Sequence, residues 1–181
     1  MATTAIVAEI LVIGLQAVIW IVLLAMSIGG VPAARAGLKE WVPLITAFTL
    51  GFAYAFGIII DRISDSLFTA GGASESWAEQ RLAVLARGDK VTDFLEYIRS
   101  RLRIARASTL NFALITLFGA LFLCVRSDAT AGQIVAATAS GIGITIAAGK
   151  VAARIRKTYD KRLKQAIELA PRSQDRAHEH K

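Results

Sequence analysis

Four long apolar runs dominate the chain, and the polar residues gather between and after them. Ile6 to Ile28 is broken only by Glu9, Gln16 and Ser27, and Val42 to Ile60 carries no charge. Ser108 to Val125 is also uncharged, while Ile134 to Gly149 is short and needs Lys150 to snorkel before Val151, Ala152 and Ala153 complete it. A helix rises 1.5 Å per residue, so runs of this length match roughly 30 Å of hydrocarbon. The pattern predicts an all-α integral membrane protein with about four transmembrane helices.

The apolar periodicity continues past three of these spans, predicting helices that extend into the cytoplasm. Ile60, Ile63 and Leu67 keep one face beyond the second span until Gly71 and Gly72 break it. Ser76 with Glu79 forms a capping-box pattern for a short helix ending near Gly88. Thr92 then caps a helix with no Pro or Gly before Gly119, which predicts an unbroken run to Val125. After the fourth span, Ala152, Ile155, Tyr159, Leu163, Ala166 and Ala170 make an amphipathic stripe that ends at Pro171. We expect this stripe to pack against the other extensions. Fraying is expected from Arg172 onward, and the terminal His178 and His180 are read as incidental. The expected organisation is a first transmembrane hairpin over 1–60, a cytoplasmic helical loop over 61–107, a second hairpin over 108–153, and a basic cytoplasmic helix with a frayed tail over 154–181.

Composition agrees with this class, with 55% apolar residues and a mean hydropathy of +0.52. Ala34 and Ala36 resemble a signal cleavage site, but Met1 to Ala5 has no Lys or Arg and the apolar core is too long, so the first run is expected to stay as a helix. Cys124 is the one cysteine, which excludes an intrachain disulfide and reads as a small hydrophobe.

The net charge of +7 becomes informative once it is sorted by loop. Eight Lys or Arg lie between Asp61 and Ala107 and ten from Lys150 onward, whereas the other face has Arg35, Lys39 and Arg126. This asymmetry predicts that the N-terminus, central loop and C-terminus of a multi-pass membrane protein lie in the cytoplasm. Seven acidic residues offset the central loop but only four offset the tail, so the tail is the basic element.

Several residues are candidates for function. Arg99, Arg103 and Arg106 share a stripe at 100° per residue, and three guanidinium forks suit phosphate groups; Arg101 points elsewhere, near Tyr97. Arg154, Lys157 and Lys161 on the tail helix extend this anion-binding set. In the fourth span, Ala137, Gly141, Thr145 and Gly149 repeat every four residues, Ala139, Gly143 and Ala147 form a second line, and Thr138 and Ser140 add hydroxyls. Such spacing suits close helix contact or a wet path, and it implies a homo-oligomer. Glu9 with Gln16 puts an acid inside the first span, a functional candidate by default. Phe48, Phe52 and Phe56 form an aromatic stripe suited to packing or lipid. No metal-ligand spacing, phosphate-cradling Gly loop or Ser, His and Asp combination is present, so neither an enzyme nor a cofactor is expected.

The layout, with Arg99-Ser100-Arg101-Leu102-Arg103-Ile104-Ala105-Arg106-Ala107 running into a span, resembles small four-helix bacterial membrane effectors of anti-phage defence, the Hailong channel effectors among them. The resemblance implies an oligomeric ion channel with electropositive chambers for an inhibitory oligonucleotide, and a partner enzyme that makes that ligand. Glu9 also resembles the membrane acid of small multidrug exporters, although those lack the long loop and basic tail. A non-conducting scaffold subunit is the third reading.

Overall fold

The structure is a computed structural model, and it describes residues 2–29, 42–69, 90–126 and 128–179. Four helices occupy them: α1 (Ala2–Gly29), α2 (Val42–Thr69), α3 (Lys90–Arg126) and α4 (Ala131–Glu179). The expected capping-box helix of 76–88 and the Gly71-Gly72 break lie outside the described residues. All four helices are long and apolar enough to cross a membrane.

α3 runs unbroken for 37 residues, about 55 Å at the helical rise. It begins at Lys90, so Thr92 falls inside its first turn and not at its cap. α4 follows after a short connection. Thr130 caps it: its Oγ1 accepts from the Gln133 backbone N–H at 3.4 Å, and Gln133 Oε1 accepts from the Thr130 N–H at 2.9 Å. This reciprocal box satisfies donors that a helix start leaves unpaired. α4 then continues through Pro171 to Glu179, which corrects the expected stop at Pro171. A proline deprives the helix of one N–H, and Gln174, Arg176, Ala177 and Glu179 are helix-favouring enough to carry it on.

α1 and α2 are antiparallel and cross at Gly14 and Gly57. A Cβ on Gly14 would overlap the Ala53 carbonyl and stand 2.9 Å from Ala53 Cα, and a Cβ on Gly57 would overlap the Ile10 carbonyl. The absent side chains let the two backbones touch. α3 packs parallel to α1 and also meets α2, enclosing Ile13, Ala17, Ile60 and Ala107, with Trp20, Phe56 and Leu110 around them. Trp20 stacks on Phe118 at 5.6 Å between ring centroids.

α4 lies outside this three-helix unit and packs antiparallel along α3; among the described residues it has no comparable contact with α1 or α2. Its amphipathic stripe meets the N-terminal part of α3 as expected. Leu163 and Leu95 are buried together, with Tyr159, Ala166 and Ile167 against them. Burying Leu163 stabilises this end by about 1.5–3 kcal/mol where the alternative is water. Arg156 ties the same region to α2, its guanidinium donating to the Phe68 carbonyl at 2.8 Å. That carbonyl belongs to the last turn of α2, where the helix dipole favours a cation.

Candidate functional site

Six polar side chains from three helices meet at one level of the bundle. α1 contributes Glu9, α2 contributes Asp61 and Asp65 one turn apart, and α3 contributes Ser100, Arg103 and Arg106. Spacings of three and four residues keep each set on one helix face, so the crossing aligns carboxylates against guanidiniums. Arg106 donates to Asp65 Oδ1 at 2.8 Å, a charge-assisted hydrogen bond. Arg103 stands between two acids, 3.8 Å from Glu9 Oε2 and 3.9 Å from Asp61 Oδ1. Ser100 donates to Glu9 Oε1, while Oε2 is buried without a hydrogen-bond partner and has Arg103 as its neighbouring charge.

The expected stripe of Arg99, Arg103 and Arg106 is therefore divided. Arg103 and Arg106 turn into the bundle and are neutralised by carboxylates of α1 and α2, whereas Arg99 is exposed. Burying these two arginines without their carboxylates would cost several kcal/mol, so the pairing favours the way α1, α2 and α3 meet. Arg101 lies over the Tyr97 ring at 4.8 Å, on the other side of the helix as its position indicated.

The basic residues of α4 stay outside. Arg154, Lys157 and Lys161 are all exposed, and Lys150 and Lys164 join them on the same side. At 100° per residue this face is opposite Ala152, Ile155, Tyr159 and Leu163, so burying the apolar stripe on α3 turns the cations outward. Arg156 falls between the two faces and serves α2.

In the membrane-length part of α4, Gly141 and Gly149 face α3. A Cβ on Gly141 would come within 2.7 Å of Thr116 Cγ2, and one on Gly149 within 3.6 Å of Thr109 Cγ2. The line of Ala137, Gly141, Thr145 and Gly149 thus contributes to contact inside one chain, with Ala137 left exposed. Thr145 and Ser140 spend their hydroxyls on the carbonyls of Gly141 and Ala136 in the same helix. Thr138 is half-buried beside them. The second line, Ala139, Gly143 and Ala147, is exposed, and nothing lies within 4 Å of the Gly143 Cβ position.

Asn111 is a site that pattern reading missed. It is fully buried, donates to the Ile13 carbonyl at 2.9 Å and to Gln16 Oε1 at 3.4 Å, and accepts from Trp20 Nε1 at 3.1 Å. It is the one Asn or Gln in the run from Ser108 to Val125, which was the available signal. Its amide bonds three residues of α1 across the interface, and its full burial makes those partners matter more than they would on a surface. Among the described residues no cluster of His, Cys, Asp and Glu could hold a metal ion. Compared with known proteins, the chain matches no family model, no curated protein and no solved structure.

Proposed function

We propose that this chain is the subunit of a homo-oligomeric channel or pore of a bacterial inner membrane, with both termini in the cytoplasm, regulated by an anionic, phosphate-bearing ligand on the basic face of α4. One observation carries the reading: α4 is a single 49-residue helix that joins a membrane-length segment, exposed on its side away from α3, to an exposed cationic face. A ligand held on the cations would act on the span through continuous helix. The interior of one copy is filled by Ile13, Ala17, Trp20 and Asn111, so a conducting path would run between copies.

The arrangement of charge favours a soluble polyanion over lipid. Lys150 to Lys164 covers 15 residues, about 21 Å along the helix, while a headgroup layer is roughly 5–8 Å deep. Headgroups reach the first one or two cations, and Lys157, Lys161 and Lys164 project beyond them. Repetition around an oligomer axis would sum their potential, which suits an oligonucleotide or another multiply charged phosphate supplied by a partner enzyme. A role in phage defence follows from the family resemblance alone. Glu9 as a transport carboxylate has less support, because Ser100 and Arg103 occupy its surroundings.

The test is ion flux in liposomes and oligonucleotide binding at low salt, for wild type and for Arg154→Ala/Lys157→Ala/Lys161→Ala. The proposal expects wild-type flux that responds to the oligonucleotide, and a triple variant that conducts without responding. Absence of both flux and binding in wild type overturns it in favour of a scaffold.

A further inference from the structure

α4 is joined to the rest of the molecule in two different ways. Along its length it packs on α3, and at one point it reaches α2, where the Arg156 guanidinium donates to the Phe68 carbonyl at 2.8 Å. Among the described residues, no packing comparable to that of α3 and α4 backs this bond. Phe68 lies in the last turn of α2, whose carbonyls lack an N–H of their own helix and whose dipole end is negative. A cation is the fitting partner there, and α4 supplies it from the edge of its basic face.

That position gives Arg156 a second acceptor within its range. It is exposed and stands about 100° round the helix from Lys157, on the element that also presents Lys150, Arg154 and Lys161 to solvent. A phosphate held by those cations competes with Phe68 for the same guanidinium. The arginine is charged in either bond, but only phosphate brings an opposite charge and a pair of oxygens that match the planar fork. A single neutral carbonyl takes one N–H and leaves the other donors to water.

We propose that Arg156 is a releasable latch: without ligand it ties α4 to the end of α2, and a phosphate-bearing ligand on the basic face takes the guanidinium over and leaves α4 held by α3 alone. The proposal rests on the anionic-ligand reading above and supplies its switch. A ligand shifts a conformational equilibrium only by its difference in affinity for the two states. The latch creates that difference, because Arg156 binds the ligand in the released state and is spent on Phe68 in the other. Coupling of this kind is reciprocal, so a substitution that removes the latch also changes ligand affinity.

The experiment reads the separation of the two helices from spin labels on Ser66→Cys of α2 and Thr158→Cys of α4, both exposed, in full-length Cys124→Ala protein diluted with unlabelled copies. The probe is inorganic tripolyphosphate at low salt, with the protein in neutral detergent. With Arg156 present, a narrow distance distribution is expected, which lengthens or broadens when the probe is added. Arg156→Ala should show the broad distribution from the start, respond no further, and bind the probe about fivefold more weakly, the low end for coupled sites. If the protein with Arg156 binds the probe and its distribution does not change, or if Arg156→Ala matches it in distribution or in affinity, the latch fails while the ligand reading stands. If the protein with Arg156 binds no probe, both fail. Release in nanodiscs of anionic lipid without any probe supports the latch but assigns the phosphate to a headgroup, against a soluble ligand.

Discussion

Replacing Gly14 by Ala tests the tightest packing in the molecule. The added methyl would overlap the Ala53 carbonyl oxygen and lie 2.9 Å from Ala53 Cα. Those are backbone atoms, so no rotamer change relieves them, and α1 must move away from α2 as a body. That movement opens the cluster of Ile13, Ala17, Ile60 and Ala107 on the same helix face. Overpacking of this kind costs about 1–3 kcal/mol, against which Ala regains up to about 1 kcal/mol of helix propensity. At roughly 2–4 °C per kcal/mol for a chain of this size, the net loss is a few degrees in Tm. Gly57→Ala, which would overlap the Ile10 carbonyl and place a methyl 2.8 Å from Ile10 Cγ2, should behave alike. The double variant should cost less than the sum, because helices parted for one methyl admit the second. Gly143→Ala, with nothing within 4 Å, gives the propensity gain without the clash. The assay is thermal unfolding in detergent followed by tryptophan fluorescence, to which Trp20 contributes from inside the interface. The reasoning is refuted if Gly14→Ala and Gly143→Ala melt together.

Asn111→Leu is expected to destabilise by about 1–3 kcal/mol, since it strips partners from the Ile13 carbonyl and the Trp20 N–H; thermal unfolding reads it, and an unchanged midpoint contradicts the network. Arg103→Gln should cost about 2 kcal/mol by leaving Glu9 and Asp61 uncompensated, and adding Glu9→Gln should restore part of the loss in a double-mutant cycle. Arg156→Ala should raise the rate of limited proteolysis after Thr69 while leaving the melting of the bundle nearly unchanged, because it frees one exposed carbonyl at the end of α2. In intact cells and in a Cys124→Ala background, a membrane-impermeant maleimide should leave Ser74→Cys and Ser173→Cys unlabelled; labelling would reverse the proposed orientation.

The four helices were legible because uninterrupted apolar runs fix helix type and length almost independently of tertiary context. The packing of Leu163 and Tyr159 on the N-terminal part of α3 was legible as well, since an apolar stripe on an otherwise charged helix needs a partner. Partners were much harder to read. Arg103 and Arg106 looked like a ligand stripe because periodicity assigns a face to a residue without saying what faces it, and Asp61 and Asp65 sit on a different helix. The small residues of α4 marked a close approach correctly, but spacing alone does not distinguish a neighbour in the same chain, here Thr116 and Thr109, from one in another copy. Gly14 and Gly57 were overlooked for a related reason: each is isolated in its own run, and the pair exists only once α1 and α2 cross. Continuation through Pro171 ran against a rule that describes average cost, which the helix formers after it offset.

The contacts between α1 and α3 impose an order on biosynthesis. Ser100 is made 91 residues after Glu9, and Asn111 is made 98 residues after Ile13. At translation rates of about 5–20 residues per second, α1 exists for roughly 5–20 s before either partner emerges. If the chain is inserted as proposed, Glu9 and Gln16 have to be satisfied during that interval by water or by the insertion machinery, which would hold α1 near an aqueous edge until α3 arrives to claim it. The nascent protein is thus kept waiting by its own polar residues, and a pause or truncation before residue 100 would strand an acidic helix that quality-control proteases could recognise.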